Sequence, residues 1–295
     1  MDEAPDKLAV LSRLLHVQRA SIKFCEPVGT AREAMLNSIL AGTYTKPFLI
    51  EEEEYRSMCF ALDGTQSEMR LDSPDDLVNE YTRKMMGFLM LRPYPNRMLI
   101  LGLGGGSLIK YCHRHLMTTH ITTVEISADV IALRSAFLVP PDGARLKVIH
   151  ADGAEHVAAM VERDERTDVI LVDAFDHAGI AKAVVERSFI EKARQVLDPG
   201  GIFVMNLVAE FDECEQHTDR IRRVFGDPVF DIPMKGEGNR VVFAGPALRD
   251  ERRLAQVACN ANRIESELGL SFPTLRQRLN DLNNTRSLGM RQALR

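Results

Sequence analysis

The sequence predicts an α/β protein: a doubly wound parallel sheet, preceded by a small β-rich segment and followed by a helical tail. Three observations carry that reading. From about residue 76, short apolar runs alternate with helical patterns over short links; parallel strands need such crossovers, and crossovers of this kind are right-handed. The runs are continuous rather than alternating, as in Met98-Leu99-Ile100-Leu101 and Val169-Ile170-Leu171-Val172, the pattern of strands buried on both faces. The first run passes directly into Gly102-Leu103-Gly104-Gly105-Gly106-Ser107, a turn that sits between a strand and a helix.

Residues 1–75 are expected to hold an amphipathic helix, Leu8 to His16, and a small β-rich domain. Its strands are the apolar runs Tyr44 to Ile50 and Met58 to Leu62, the second ended by Asp63-Gly64, a hairpin signal. The acidic run Glu51 to Glu54 reads as a solvated face. Residues 76–247 are expected to form the main domain. It opens with a helix from Leu77 to Leu91, stopped by Pro93 and Pro95 because proline cannot continue helical hydrogen bonding. Strand Met98 to Leu101, helix Ser107 to Met117, strand Ile121 to Glu125, helix Ala128 to Phe137, strand Leu146 to His150 and helix Ala154 to Arg163 follow. The clearest strand is Asp168 to Asp173; helix Glu186 to Leu197 then stops at Asp198-Pro199-Gly200-Gly201 and leads into strand Ile202 to Leu207. Helix Cys214 to Phe225 and strands near Val229 to Ile232 and Arg240 to Ala244 complete it. Residues 248–295 are polar, arginine-rich and helical in pattern, and read as a tail with a solvated or subunit-contacting face.

Composition narrows the partners. An apolar fraction of 45% and a charged fraction of 27% are ordinary for a soluble globular protein. A net charge of −5 provides no basic field to recruit nucleic acid. Five scattered cysteines without a CxxC pair argue for a reducing compartment and against a disulfide framework or a zinc site. His113 and His115 stand at i, i+2, which puts them on different helix faces, so no metal is expected. The Met-Asp-Glu start has no signal-peptide character, and no run approaches the ~20 apolar residues that span a bilayer. The expectation is a cytoplasmic protein without a membrane partner.

In a doubly wound sheet, ligands bind outside the carboxyl ends of the strands, and the chemistry-bearing residues gather there. The glycines let the chain turn tightly and let a ligand approach the backbone. Glu125 ends the second strand about twenty residues on, placed to accept hydrogen bonds from ribose hydroxyls, as in both NAD and adenosyl-sulfonium sites. Asp152-Gly153 ends the third strand; the carboxylate can reach an adenine amino group, and it can also cap the helix that begins at Ala154. That second acid fits an adenosylmethionine-type site better than NAD. Asp173 and Asp176 follow the fourth strand and suit the handling of a cation. His177 stands beside them; an unperturbed imidazole, with a pKa of ~6.5, can shuttle protons.

These residues resemble the spermidine synthase (polyamine aminopropyltransferase) family, in the branch with a Gly-Leu-Gly-Gly-Gly-Ser turn. The resemblance runs through Asp63-Gly64-Thr65-Gln66, Tyr81-Thr82-Arg83, Pro93-Tyr94-Pro95, Gly102 to Ser107, Glu125, Asp152-Gly153 and Asp173 to Asp176. It implies a class I methyltransferase-like Rossmann fold, a homodimer, and aminopropyl transfer from decarboxylated S-adenosylmethionine as co-substrate to a polyamine such as putrescine, with no metal. It also implies roles. Asp173 would take the proton of the attacking amine, and Asp176, Gln66 and Tyr81 would bind the acceptor. Gly102, Gly104, Gly105, Gly106, Glu125, Asp152 and Gly153 would hold the nucleoside. Typical members carry an aspartate inside the glycine turn for the donor's amine, where Gly105 stands here, and Asp-Pro where Asp176-His177 stands. Ordinary S-adenosylmethionine, and with it methyl transfer, is therefore an alternative expectation; a non-catalytic nucleoside- or polyamine-binding protein is the third.

Overall fold

The computed structural model describes residues 21–24, 32–62, 64–176, 179–208, 211–234 and 239–293. The helix expected over Leu8 to His16, together with Cys25 and His177, lies outside them. The chain forms two compact units. One comprises residues 1–78, 103–111 and 127–141; the other comprises 79–102, 112–126 and 142–295.

In the first unit, strands β1 (Ser21–Phe24), β2 (Phe48–Glu51), β3 (Tyr55–Ala61) and β4 (Gly64–Arg70) form an antiparallel sheet in chain order. The sequence leads to this directly. Apolar positions on alternate residues turn Phe48 and Ile50 to one face, where they pack with Ile22, Ile39 and Cys59. Glu52, Glu53 and Glu54 are exposed as expected, whereas Glu51 is held by Lys23 at 2.9 Å and by Arg56.

The second unit carries a seven-stranded sheet. Its strands are β5 (Arg97–Leu101), β6 (His120–Glu125), β7 (Leu146–His150), β8 (Thr167–Val172), β11 (Leu197–Val208), β12 (Phe230–Pro233) and β13 (Asn239–Ala244), in the spatial order β12-β13-β11-β8-β5-β6-β7. Five strands are parallel; β13 runs antiparallel to β11, and β12 antiparallel to β13. The sheet is thus mixed where a parallel one was expected, because β12 and β13 turn back on one another without a crossover helix. A short ribbon of β9 (Phe175–Asp176) and β10 (Gly179–Ile180) follows β8. Every residue of β8 is buried, and the core on one face joins Ile170 and Val172 to Phe189, Phe203, Val224 and Val242.

Three expected boundaries move. The first helix runs only over Glu80–Met85 and tightens to a 3-10 turn at Met86–Met90. Asn260 Nδ2 and Arg253, from the helix Glu251–Leu268, bind the carbonyls of Met90 and Leu91. The helix from Ala128 stops at Ala132 rather than Phe137, and Leu138 has a φ of 56°, so the chain turns before Pro140. The Asp198-Pro199-Gly200-Gly201 stop lies within β11 as an irregularity between Leu197 and Ile202, which a proline tolerates where no ladder hydrogen bond is asked of it. The tail is helical, over Glu251–Leu268 and Pro273–Ala293. Among the described residues no helix is long and apolar enough to cross a membrane.

Candidate active site

The carboxyl ends of β5, β6, β7 and β8 bring Gly102, Glu125, Asp152 and Asp173 to one edge of the sheet. Backbone hydrogen bonds tie these ends together. Gly102 N–H donates to the Val124 carbonyl at 2.9 Å, Asp173 N–H to the Leu101 carbonyl at 2.9 Å, and Ala151 N–H to the Glu125 carbonyl at 3.1 Å. The Thr123 hydroxyl donates across to β5 and its end, 3.2 Å from the Ile100 carbonyl and 3.3 Å from that of Gly102. Gly102 adopts a φ of 99°, and a Cβ there would stand 2.0 Å from the Asp173 carbonyl oxygen. The first glycine of the turn is thus required by the strand beside it.

Asp173 is held through both oxygens. Asn206 Nδ2 donates to Oδ1 at 2.9 Å and the Tyr81 hydroxyl to Oδ2 at 3.3 Å. The residue keeps a partial opening to solvent, while burial of the carboxyl pushes it up to about 6, against the pull of the two hydrogen bonds from Asn206 and Tyr81. Neutral donors steady a carboxylate without cancelling its charge, so the group retains a proton affinity that an ion pair would remove. Asn206, in β11, is 2% exposed, and its Oδ1 in turn accepts from Asn239 Nδ2 at 3.1 Å. Neither asparagine was expected from the sequence; the one available signal was a lone amide inside the apolar run Ile202 to Val208.

Glu125 and Asp152 stand at the strand ends where the sequence puts them, but they carry different loads. Glu125, the last residue of β6, is half-buried. Asp152 caps the helix Gly153–Glu162, its Oδ1 accepting from Ala154 N–H at 2.7 Å and Glu155 N–H at 3.0 Å. The cap is therefore made, and it employs one carboxyl oxygen. A Cβ on Gly153 would lie 3.4 Å from the methyls of Leu101. Asp176 stands in β9, where its backbone pairs with Gly179.

The other glycines and Gln66 belong to the first unit. Gly104 and Gly106 have φ of 51° and 70°. Gln66 is exposed on β4. A Cβ on Gly105 would meet Ser67 Oγ at 2.6 Å and the Phe137 ring at 2.8 Å. Phe137 is wholly buried, and its carbonyl accepts from Nζ of Lys110 at 3.0 Å; Lys110 is itself 1% exposed. Burial lowers the Lys110 amine to about 8, with Asp75 opposing and Arg56 reinforcing the shift. Among the described residues, no group of three or more His, Cys, Asp or Glu side chains could hold a metal ion.

The chain is similar to known proteins over most of this architecture. Residues 79–225 match the spermine/spermidine synthase domain. A polyamine aminopropyltransferase of Neisseria meningitidis serogroup A is 35% identical over 224 residues, 75% of this chain and 84% of that protein. The chain belongs to the polyamine aminopropyltransferase family. As in that family's enzymes, its main body is a class I methyltransferase-like fold. A spermidine synthase crystallised with the transition-state analogue AdoDATO superimposes with a TM-score of 0.56 at 21% identity, covering 76% of this chain and 85% of that one. Human methyltransferase-like protein 13 in complex with SAH also gives 0.56, at 26% identity, covering 63% of this chain and 91% of that one. A polyamine aminopropyltransferase is a transferase, and the non-catalytic expectation falls with that membership.

Proposed function

We propose that this chain moves an aminopropyl group from decarboxylated S-adenosylmethionine to an amine of a polyamine such as putrescine, with Asp173 taking the proton. One observation carries the reading: a carboxyl lifted to about 6 by burial and fixed by two neutral donors at the carboxyl edge of the sheet. An alkylamine resembles lysine, with a pKa of ~10.4, and arrives protonated. A positioned carboxylate of raised proton affinity is suited to accept that proton. The amine nitrogen then attacks the methylene carbon beside the sulfonium. The C–S bond breaks with its electron pair left on sulfur, which gives methylthioadenosine and a longer polyamine. The sulfonium is already an activated leaving group, so orientation supplies most of the acceleration.

In this reading Tyr81 and Asp176 hold the acceptor amine and Glu125 takes the ribose hydroxyls. Asp152 reaches the adenine amino group through the oxygen not spent on its cap, and Gly102 and Gly153 take the nucleoside-side roles that the family pattern implies. Gln66, Gly104, Gly105 and Gly106 take the roles that the family pattern implies. A cytoplasmic homodimer, with functional segments 1–75, 76–247 and 248–295, completes the proposal.

Methyl transfer from S-adenosylmethionine is the second reading, and Gly105 favours it. Gly105 carries no acid, and a Cβ there would have to displace Ser67 Oγ and the Phe137 ring, so the attraction for the decarboxylated donor's amine, and the repulsion of a donor carboxylate, are both missing. Purified protein incubated with putrescine and each donor in turn separates the two. Methylthioadenosine formed from the decarboxylated donor alone supports aminopropyl transfer. S-adenosylhomocysteine from the ordinary donor establishes methyl transfer in its place.

A further inference from the structure

The second unit contains an arrangement that neither family membership nor the proposed chemistry assigns. Asn206 sits in β11 between apolar neighbours and is almost completely buried. A buried amide is costly unless its donor and acceptor are both satisfied. Here they are satisfied in a fixed sense: Nδ2 donates to Asp173 Oδ1 at 2.9 Å, and Oδ1 accepts from Asn239 Nδ2 at 3.1 Å. The two strands make this possible because β11 and β13 are antiparallel, with Asn206 opposite Val241 and Val208 opposite Asn239. The partners are thus diagonal neighbours two residues apart along β13, a separation that side chains on one sheet face can bridge.

An asparagine amide turned through half a rotation presents its carbonyl where its N–H stood. A carbonyl facing Asp173 would repel the carboxylate and accept only from the protonated acid. We propose that Asn206 is a positioning residue for the reaction, and that Asn239, by donating to the Asn206 oxygen, fixes the amide in the orientation that favours an ionised, correctly turned Asp173. This rests on the reading of Asp173 as the proton acceptor. Among the described residues, the groups bearing on that carboxyl are few. Tyr81 comes from the helix Glu80–Met85, Asn206 from β11, and the Gly102 and Ala174 backbone lies beside the Asp173 main chain. Arg240, next to Asn239, turns instead to Asp231, which it binds through Nε at 3.0 Å. Tyr81 is the titratable partner on this list. Among the described residues, no lysine, arginine or histidine hydrogen-bonds that carboxyl.

The test is the pH dependence of kcat/KM with purified full-length protein and the donor and amine found productive for it. Asn206→Leu removes the donor while keeping the volume. The acid limb should move up by about one to two pH units, with activity returning at high pH, since a hydrogen bond to a charged group is worth roughly that much. Asn239→Asp presents only acceptors to Asn206, forces the amide to turn, and should move the limb in the same direction. Asn239→Leu frees the amide and should move it less. Asn239 is partly exposed, so its variants report even where the Asn206 variant does not fold. Activity lowered equally at every pH, with the limb in place for Asn239→Asp, overturns the proposal. Asp173→Asn separates this from the underlying reading: an acid limb that survives in that variant shows that the titrating group is not Asp173.

Discussion

The place where a Cβ would stand on Gly102 lies 2.0 Å from the carbonyl oxygen of Asp173. The first residue of the glycine turn and the acid that follows β8 are thus packed backbone to backbone, and a side chain at position 102 must displace the Asp173 main chain.

Gly102→Ala should therefore be one of the most damaging single-atom additions in the chain. Both the clash and the φ of 99° oppose it, and we expect a loss of about 2–4 kcal/mol. Urea denaturation measures the loss, and turnover should fall with it because Asp173 must shift. A midpoint unchanged from wild type would show that the two backbones can part freely.

Asp173→Asn should abolish turnover and leave donor affinity within about tenfold, since the proposed donor contacts lie elsewhere on the edge. Calorimetric titration with the donor checks the second half.

The same substitution has a thermodynamic signature. The folded carboxyl is raised from 3.8 to about 6, so the native state binds the proton more tightly than the unfolded chain does. That contribution to stability is fully present below the unfolded value and is lost as pH rises through about 6. Asp173→Asn should raise the Tm relative to wild type at pH 7–8, with the difference shrinking towards pH 4. Thermal melts across that range test it, and a difference independent of pH would contradict it.

Lys110 titrates in the opposite sense. Its amine is lowered from 10.5 to about 8 by burial, so the unfolded chain holds the proton more tightly. Wild-type stability should gain from Lys110 as pH rises from about 8 to the unfolded value, and the gain should vanish in Lys110→Met. Melts between pH 7.5 and 10.5 distinguish the two proteins.

Gly105→Asp should destabilise the protein without restoring an acid-bearing turn, because Ser67 Oγ and the Phe137 ring stand in the way. The double variant with Phe137→Ala gives the new side chain room, although the cavity costs about 3–5 kcal/mol of its own. Donor discrimination, read as the ratio of kcat/KM for the two donors, should change in the double variant. It should not change in Gly105→Asp alone.

Much of this was legible in the sequence. Strands buried on both faces, such as β5 and β8, announce themselves by uninterrupted apolar runs, and the end of each run marks the carboxyl edge of the sheet, where Glu125, Asp152 and Asp173 stand. Asn206 was hidden because one amide barely perturbs an apolar run. Asn239 was hidden because it follows the polar stretch Lys235-Gly236-Glu237-Gly238 and reads as loop. The packing of Gly105 against Phe137 depends on residues thirty-two apart in the chain, a relation that no local pattern encodes. The antiparallel β12 and β13 escaped because a strand's direction follows from its connection and not from its composition.

β8 also places an aspartate near its other end. There, burial would raise the Asp168 carboxyl, but the Arg97 backbone N–H, Asp198, Arg92 and the Asn96 backbone N–H together hold it below its ordinary value; Asn96 N–H donates at 2.5 Å and Arg97 N–H at 2.9 Å. One short strand thus pins two identical side chains to opposite fates. Asp168 is held towards its ionised form by the donors around it and clamps the chain entering β5. Asp173 is left hungry for a proton, because its neighbours steady it without answering its charge. Position along the chain, and the company found there, gives one residue type two opposite proton affinities.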